Sequence, residues 1–550
     1  MLRHLTAVAA AVALSAAAAG QDVTWAGPPA GGSWASAANW SSTPLLPGPS
    51  NQAVFGAAVN TAATVTLDGD QTVFGVTTVG ATGPLTIAAG AGTPTAVLTL
   101  TASSSNPLLG LLAGGSDLTV QTAVAVVGSR VGLLADPGRT LTLSGQLRLA
   151  SSTTTPQQVE VVHAATGAVN LAGGLRVTGD GGVFGPTVRA NPSSQLGLTA
   201  SQTWEVSSAG LSVIGSGAMN LGPAGQTLTV RPTAATTNVP VLFLGATLAG
   251  AGGLTLAPAA SNAPGAGVVQ ISPDTANGPN TATGPLTVSG GTLAVFGGAW
   301  AGSSVTVSGG QLLPGRLFSP LGSSNALPPT TVLALSGTGA YNLGVPDFAT
   351  GSMAAAVPLA HTQRYASVSH AGSGAFNTGG QSAQVAVTGT FTHAGSGEVV
   401  VNPGGTLTAN RLDLPAGGGA VQVQGGSGLP GRLSVGDGGL TMADRTITLA
   451  GTATGGAVLE LTGTGVLSAS GASGIVRTGP AGSGGVVLGT ARPVSVAAGG
   501  TLTVTADVSG GLVKQGAGTL VLAGANVQNF GTTRLEAGRW CWPTPPPWGR

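Results

Sequence analysis

The chain has 550 residues, of which 42% are hydrophobic and only 6% are charged, and its formal net charge is +1. This composition excludes a typical disordered chain, which is poor in apolar residues and rich in charge. The sequence also has no basic block, so we expect no nucleic-acid partner. Glycine is abundant, with 94 residues, but it does not recur at every third position as collagen requires.

Residues 1–20 predict a secretory signal peptide. The basic segment MLRH is followed by the apolar run LTAVAAAVALSAAAA and then by Gly20. This apolar run is short for a membrane span, which needs about 20 residues, and its small residues are typical of a signal-peptidase site. We therefore expect a secreted, extracellular or cell-surface protein without an integral membrane segment in the mature chain.

Residues 21–80 form a segment rich in tryptophan, with Trp25, Trp34, Trp40 and Phe55 as its bulkiest side chains. Large rings can close the end of a stack of strands, which otherwise leaves an unpaired edge. We predict that this segment caps the N-terminal end and forms the first coils. The alternative is an exposed aromatic platform for sugars.

Short alternating runs bounded by Gly, Ser, Asn or Pro fill residues 81–538, and such runs are typical of strands and turns. Two segments return at similar spacing: VSGGTLAV at Val288 returns as VSGGQLLP at Val307, and HAGSGAFN at His370 returns as HAGSGEVV at His393. Periods of about 20 residues indicate a solenoid of stacked coils. We predict an all-β fold, a right-handed parallel β-helix with coils of roughly 20 residues. Tandem immunoglobulin-like sandwiches are disfavoured, since each would need its own buried tryptophan.

Residues 510–538, GGLVKQGAGTLVLAGANVQNFGTTRLEAG, resemble the autotransporter-associated β-strand repeat of secreted bacterial passenger proteins. The N-terminal segment is similar to the leading segment of such proteins from planctomycete-type bacteria. The resemblance implies a β-solenoid, and we interpret Lys514 as a solvent-facing strand residue. The matching positions are Gly511, Leu512, Lys514, Gly516, Gly518, Thr519, Leu520, Leu522, Gly524, Asn526, Gly531, Thr532, Thr533, Ala537 and Gly538.

Residues 539–550, RWCWPTPPPWGR, depart from the repeat and form an atypical tail rich in Pro and Trp. Four prolines in so short a segment are incompatible with a central strand. Two interpretations remain open: an aromatic cap, or the product of a truncated or shifted reading frame.

The ionisable residues predict no catalytic, metal-binding or cofactor-binding site. Asp68 and Asp70 follow a strand, where such residues more often form Asx turns than act as acid and base. Asp437 with Asp444 is the other close acidic pair. His370 and His393, one repeat apart, are predicted to stack on one face as a repeated surface position, without a third ligand for a metal.

We therefore predict a structural or adhesive repeat protein that is not an enzyme and makes multivalent contacts with extracellular glycans or surface proteins. One alternative is a polysaccharide-active β-helix enzyme of lyase or hydrolase type. A third interpretation is an inert stalk that displays another module.

Overall fold

The computed structural model describes most of the chain between residues 22 and 541. The described ranges are 22–41, 45–101, 108–112, 114–150, 157–163, 167–178, 185–192, 194–207, 210–233, 240–259, 267–272, 280–296, 300–315, 326–343, 346–347, 352–353, 361–380, 382–426, 428–489, 491–524 and 532–541. The predicted signal peptide and residues 542–550 of the predicted tail lie outside these ranges.

Within the described ranges the regular secondary structure is β-strand, apart from one short 3₁₀ helix, Ala37–Asn39. The strands pair in parallel with strands of the preceding and following coils, which is the pairing of a β-solenoid. The predicted all-β parallel solenoid is therefore confirmed. The chain divides into two compact units, residues 1–260 with 269–284 and residues 261–268 with 285–550.

Unit 1 has three parallel sheets, and most coils contribute one strand to each sheet; the first coil has no strand in sheet 3. Sheet 1 contains Asp22–Thr24, Gln52–Phe55, Gly75–Thr78, Leu108–Leu111, Arg130–Ala135, Gln158–His163, Thr187–Ala190, Leu211–Ile214, Pro240–Leu244 and Val268–Ile271, of which residues 269–271 belong to this unit. Sheet 2 contains Gly31–Ser33, Ala63–Leu67, Leu85–Ala89, Leu118–Val120, Thr140–Leu143, Ala168–Leu171, Gln195–Leu198, Ala218–Asn220 and Thr247–Ala249. Sheet 3 contains Gln71–Val73, Val97–Thr101, Ala123–Val127, Leu147–Ala150, Leu175–Thr178, Gln202–Val206, Thr227–Pro232 and Gly253–Leu256.

Unit 2 has two large parallel sheets, of which the second has two limbs joined by long strands. Sheet 4 contains Thr292–Phe296, Gln311–Gly315, Ala340–Asn342, Phe376–Asn377, Val399–Val401, Val421–Gln424, Thr446–Ala450, Ala472–Arg477, Thr501–Val504, Thr519–Leu522 and Arg539–Cys541. The long strands of sheet 5 are Ala383–His393, Thr406–Leu414 and Gly431–Ala443. Its first limb adds His361–Tyr365, Ala457–Leu461, Gly484–Val487 and Asp507–Ser509; its second limb adds Leu286–Val288, Ser304–Val307, Val332–Leu335, Ser367–His370, Leu467–Ser470, Arg492–Val496, Leu512–Gln515 and Thr533–Leu535. A short antiparallel pair, Pro346–Asp347 with Ser352–Met353, is also present.

The core consists of apolar rows that run from strand to strand. In sheet 2 of unit 1, Val65, Ile87, Val120, Leu143, Leu171 and Leu198 occupy one register position on successive strands, and all are buried. This follows from the alternation of the sequence, because successive side chains of a strand point to opposite faces. Each inward side chain is thus buried against the side chain at the same register position of the next coil.

The two repeated segments align as successive coils, as the sequence predicted. Val288 pairs with Val307, and His370 pairs with His393, so equivalent letters of each repeat lie on neighbouring strands. The second VSGG segment ends at Gly310, which directly precedes the strand Gln311–Gly315. Glycine is required at this position, because its φ is +69° and a Cβ there would lie 2.1 Å from the Gly291 carbonyl oxygen.

Coil length varies around the predicted value of roughly 20 residues. The coil between the paired residues Val504 and Leu522 is slightly shorter than this value, whereas the coil between Tyr341 and Phe376 is much longer. In unit 1 the coils are generally longer than the prediction, as the pairing of Val159 with Val188 illustrates. Strands keep their register while the connections between them absorb the difference in length.

Candidate functional site

The two acidic pairs found in the sequence form hydrogen bonds that connect neighbouring coils. Asp68 accepts a hydrogen bond from the Ser33 hydroxyl, and Asp70 Oδ1 accepts one from the Val97 backbone N–H at 2.9 Å. In the second pair, Asp437 Oδ1 accepts from the Thr464 N–H at 2.7 Å, and Asp444 Oδ1 accepts from the Ala472 N–H at 2.7 Å. The bonds of Asp70, Asp437 and Asp444 satisfy backbone donors at the start of strands or turns.

His370 and His393 stack as the sequence predicted, but the prediction of a surface position is wrong. Their ring centroids lie 4.7 Å apart at an interplanar angle of 16°, and both residues are fully buried. They share the inward side of their strand with Val368 and Phe391, two positions earlier. The alternation of the strand therefore places both rings inside the solenoid.

The protonation state of these histidines follows from their contacts. His370 Nε2 lies 2.8 Å from the Gly374 carbonyl oxygen, and His393 Nε2 lies 3.2 Å from that of Gly419. Since a carbonyl only accepts, each Nε2 carries the proton, and neither Nδ1 has a partner among the described residues. Burial lowers the pKa of both histidines, and the positive charges that His370 and Arg445 can carry help to bring that of His393 to about 4.

Lys514 is inside the solenoid, so its interpretation as a solvent-facing residue is wrong. The residue is fully buried, and its Nζ donates to the carbonyl oxygens of Gln515 at 2.6 Å, Gly516 at 2.8 Å and Ala537 at 3.2 Å. Lys514 shares the inward side with Leu512 because the two are separated by one residue. Its aliphatic stem fills a core position and its ammonium satisfies carbonyls at the corner.

Two buried arginines have the same role and were not singled out from the sequence. Arg445 donates to the carbonyl oxygens of His393 at 3.1 Å and Pro415 at 3.0 Å, and also to that of Gly419. Arg492 donates to the carbonyl oxygens of Leu488 at 3.3 Å and Gly465 at 3.0 Å, and also to that of Leu461. Burial lowers the pKa of both guanidinium groups. The scarcity of charged residues in the sequence could have pointed to these two arginines, since a solitary cation in an apolar repeat needs a specific partner.

The N-terminal aromatic residues form one buried cluster. Trp25, Trp34, Trp40 and Phe55 are each at most 1% exposed. The ring centroid of Trp40 lies 5.1 Å from that of Trp25 and 5.0 Å from that of Trp34. An aromatic platform for sugars needs accessible rings, whereas buried rings at the first coils have the packing that a plug requires.

The described positions of the 510–538 motif lie in three consecutive strands and their corners. Leu512, Leu520 and Leu522 are buried, and Thr519 alternates with them on the outward side. Gly516 and Gly538 have φ of +72° and +81°, and a Cβ on Gly538 would lie 2.4 Å from the Gly516 carbonyl oxygen. Asn526 and Gly531 lie outside the described residues. Gly511 and Gly518 directly precede strands, and Gly524 lies two residues after the strand Thr519–Leu522. Thr533 begins the exposed strand Thr533–Leu535, Thr532 directly precedes it and Ala537 lies two residues after it.

The first three residues of the predicted tail continue the solenoid. Arg539–Cys541 pairs in parallel with Thr519–Val521 in sheet 4. Cys541 is exposed and free. The departure from strand structure that the prolines predict therefore does not begin at residue 539.

The most regular polar feature of unit 2 is one row on the outer side of sheet 5, second limb, which we call the polar row. Seven of its ten positions carry a hydroxyl, and none is buried. Successive members occupy the same register position on neighbouring strands, so they repeat about every 4.8 Å. The polar row consists of Thr287, Thr306, Ala334, Ser369, Thr392, Asp413, Thr441, Ser468, Ser495 and Gln515.

The described ranges contain no group of three or more His, Cys, Asp or Glu that could hold a metal ion. They also contain no helix long and apolar enough to cross a membrane.

Comparisons with models of known protein families, with curated proteins and with solved structures find no match for this chain.

Proposed function

We propose that this chain is a secreted or cell-surface structural protein that adheres through many weak contacts between its polar row and glycans or partner proteins. The polar row is the observation that carries the proposal. We also propose, from the residues of the 510–538 motif alone, that the chain is related to secreted proteins with autotransporter-associated repeats.

The geometry of the polar row supports multivalent contact. A single hydrogen bond contributes about 0.5–1.5 kcal/mol net, which is too little for a stable complex. Seven hydroxyls in register on one sheet face can meet a repeating partner together, and each contact raises the effective concentration for the next. Seven of the ten positions carry the same kind of group, a hydroxyl, so a repeating polymer suits the row better than a compact ligand.

A substitution series tests the proposal against neutral polysaccharides immobilised on a surface. The test variant combines Thr392→Val, Thr441→Val, Ser468→Ala and Ser495→Ala, which removes four hydroxyls and preserves strand-compatible shapes. We expect its dissociation constant to rise about 30-fold to 1,000-fold, because four hydrogen bonds of about 0.5–1 kcal/mol each are lost.

The matched control removes four hydroxyls from the outer side of sheet 4, where Thr448, Thr501, Thr503 and Thr519 are half-buried like those of the polar row. Their replacement by valine should leave binding within about twofold. Equal losses in both variants, or no binding to any glycan or surface-protein preparation, would overturn the adhesive role, and the second result would favour an inert stalk.

The same samples separate adhesion from catalysis. An enzyme that cuts polysaccharide releases new chain ends, so reducing sugar should rise with time. Loss of that release on Asp68→Asn with Asp70→Asn, or on Asp437→Asn with Asp444→Asn, would establish the enzymatic alternative. We expect binding without release.

A further inference from the structure

The outer side of sheet 3 in unit 1 carries a second row, of different chemistry. Arg148, Arg176, Glu205 and Arg231 occupy one register position on four successive strands. The three arginines are exposed and the glutamate is half-buried. We call these four residues the arginine row. At about 4.8 Å per strand, it extends over about 14 Å.

The contacts within the arginine row leave a surplus of positive charge. Arg176 Nε lies 3.4 Å from Glu205 Oε2, so one carboxylate meets one guanidinium. Arg148 and Arg176 lie on adjacent strands at the same register position, and like charges so placed repel. The Arg148 Nε donates to the Gln146 side-chain oxygen at 3.3 Å, which supplies no negative charge.

Several other exposed or half-exposed arginines of the described residues each have a carboxylate partner of their own. Examples are Arg130 with Glu160 at 2.5 Å, Arg411 with Asp413 at 2.8 Å and Arg432 with Glu460 at 3.0 Å. The arginine row differs from these pairs, because one register position carries three guanidinium groups and one carboxylate, which contacts Arg176. Packing does not explain the surplus, since the three arginine side chains are exposed.

We propose that the arginine row binds an acidic polysaccharide with a carboxylate on each sugar unit. A guanidinium group presents a planar fork that holds a carboxylate through two hydrogen bonds. A row along the solenoid axis suits a linear polymer with acidic groups at regular intervals. Thr178 and Thr203, exposed on the same sheet, supply hydroxyls near the arginines for the sugar hydroxyl groups. This inference rests on the proposed function and names the chemical class of one of its glycan partners.

The described surface favours such a glycan over a single-stranded nucleic acid. Proteins that bind single strands stack the bases on exposed aromatic side chains. The exposed large apolar side chains in the described ranges are Leu and Val only, at positions such as Leu45 and Val127. An acidic polysaccharide needs no stacking, because carboxylate and hydroxyl groups carry its recognition.

The test uses the full chain and polygalacturonate, with its methyl ester as an uncharged polymer of the same backbone. We expect binding to polygalacturonate that weakens with added salt, and at least tenfold weaker binding to the ester. The triple variant Arg148→Gln, Arg176→Gln, Arg231→Gln should lose about 30-fold in affinity, or roughly threefold per arginine. Glu205→Gln should raise affinity about threefold, because it releases Arg176 from its carboxylate; a purely structural role of Glu205 would not produce a gain.

The control changes the net charge by the same amount elsewhere: Arg364→Gln, Arg411→Gln and Arg432→Gln, three arginines of unit 2. It should bind polygalacturonate within about twofold of the unmodified chain. Equal losses in both triple variants, equal binding of the ester, or stronger binding of single-stranded DNA would overturn the assignment. If polygalacturonate does not bind at the arginine row but neutral glycans still bind at the polar row, only this inference is refuted. If neither kind of glycan binds, the proposed function is refuted as well.

Discussion

Replacement of Lys514 by leucine isolates the contribution of one buried ammonium to the solenoid. The two preceding coils carry Val494 and Leu467 at the same register position, so leucine has a size and shape that this position already accepts. The variant retains apolar packing and removes only the donor to three carbonyl oxygens, those of Gln515, Gly516 and Ala537.

The expected destabilisation is about 2–4 kcal/mol. Hydrogen bonds from a charged donor contribute about 1.5–3 kcal/mol each, so the three bonds together contribute more than the expected destabilisation. The desolvation of a buried ammonium offsets several kcal/mol of that gain, and burial indeed lowers the pKa of Lys514. The loss after replacement is then governed by the carbonyls left without a donor, at about 1–3 kcal/mol for each one that water does not reach.

Hydrogen exchange measures this loss locally, which matters because the coils of a solenoid contact only their neighbours. The amides of Thr519–Leu522 should exchange about 30-fold to 1,000-fold faster in Lys514→Leu, since about 1.4 kcal/mol corresponds to a factor of ten. Leu467→Met, an apolar exchange two coils earlier in the same row, should change exchange there by less than about tenfold. Exchange rates of Lys514→Leu within twofold of the unmodified chain would refute the role of the ammonium.

Three other changes test the buried groups. Between pH 6.5 and about 4, the unfolded chain binds more protons than the fold at His393, so urea unfolding should show unit 2 losing stability as the pH falls. The loss is at most about 1.4 kcal/mol per pH unit for each histidine, and a pH-independent stability in this range would contradict it, while His393→Leu should flatten the slope. Arg445→Met should lower the free energy of unfolding of unit 2 by about 2–6 kcal/mol, because the His393 and Pro415 carbonyls lose the arginine donor at about 1–3 kcal/mol each, whereas the Gly419 carbonyl keeps its contact with His393 Nε2; a loss below about 1 kcal/mol would argue against this role. Trp40→Ala should cost unit 1 about 3–5 kcal/mol by the same assay, since the ring is buried among three others, whereas Val127→Ala, at a side chain 54% exposed, should cost less than about 0.5 kcal/mol.

The alternation of apolar residues and the glycine-bounded turns were enough to predict parallel coils. The pairs Val288 with Val307 and His370 with His393 could be read from repeated letters, because identical segments in a solenoid take equivalent positions. The polar row could not be predicted from repeated letters. Members of the polar row are separated by unequal lengths of chain, which are short from Thr287 to Thr306 and much longer from Ala334 to Ser369.

The sequence by itself determined the class of fold, since a period of two with frequent turns leaves few ways to bury apolar side chains in a chain with so little charge. Only the tertiary structure decided which polar residues face inward. Lys514 could be placed inside only once the Ala537 carbonyl, contributed by the next coil, was seen 3.2 Å from its Nζ. The arginine row likewise exists only through register, because Arg148, Arg176 and Arg231 come to one register position only when the coils stack strand on strand.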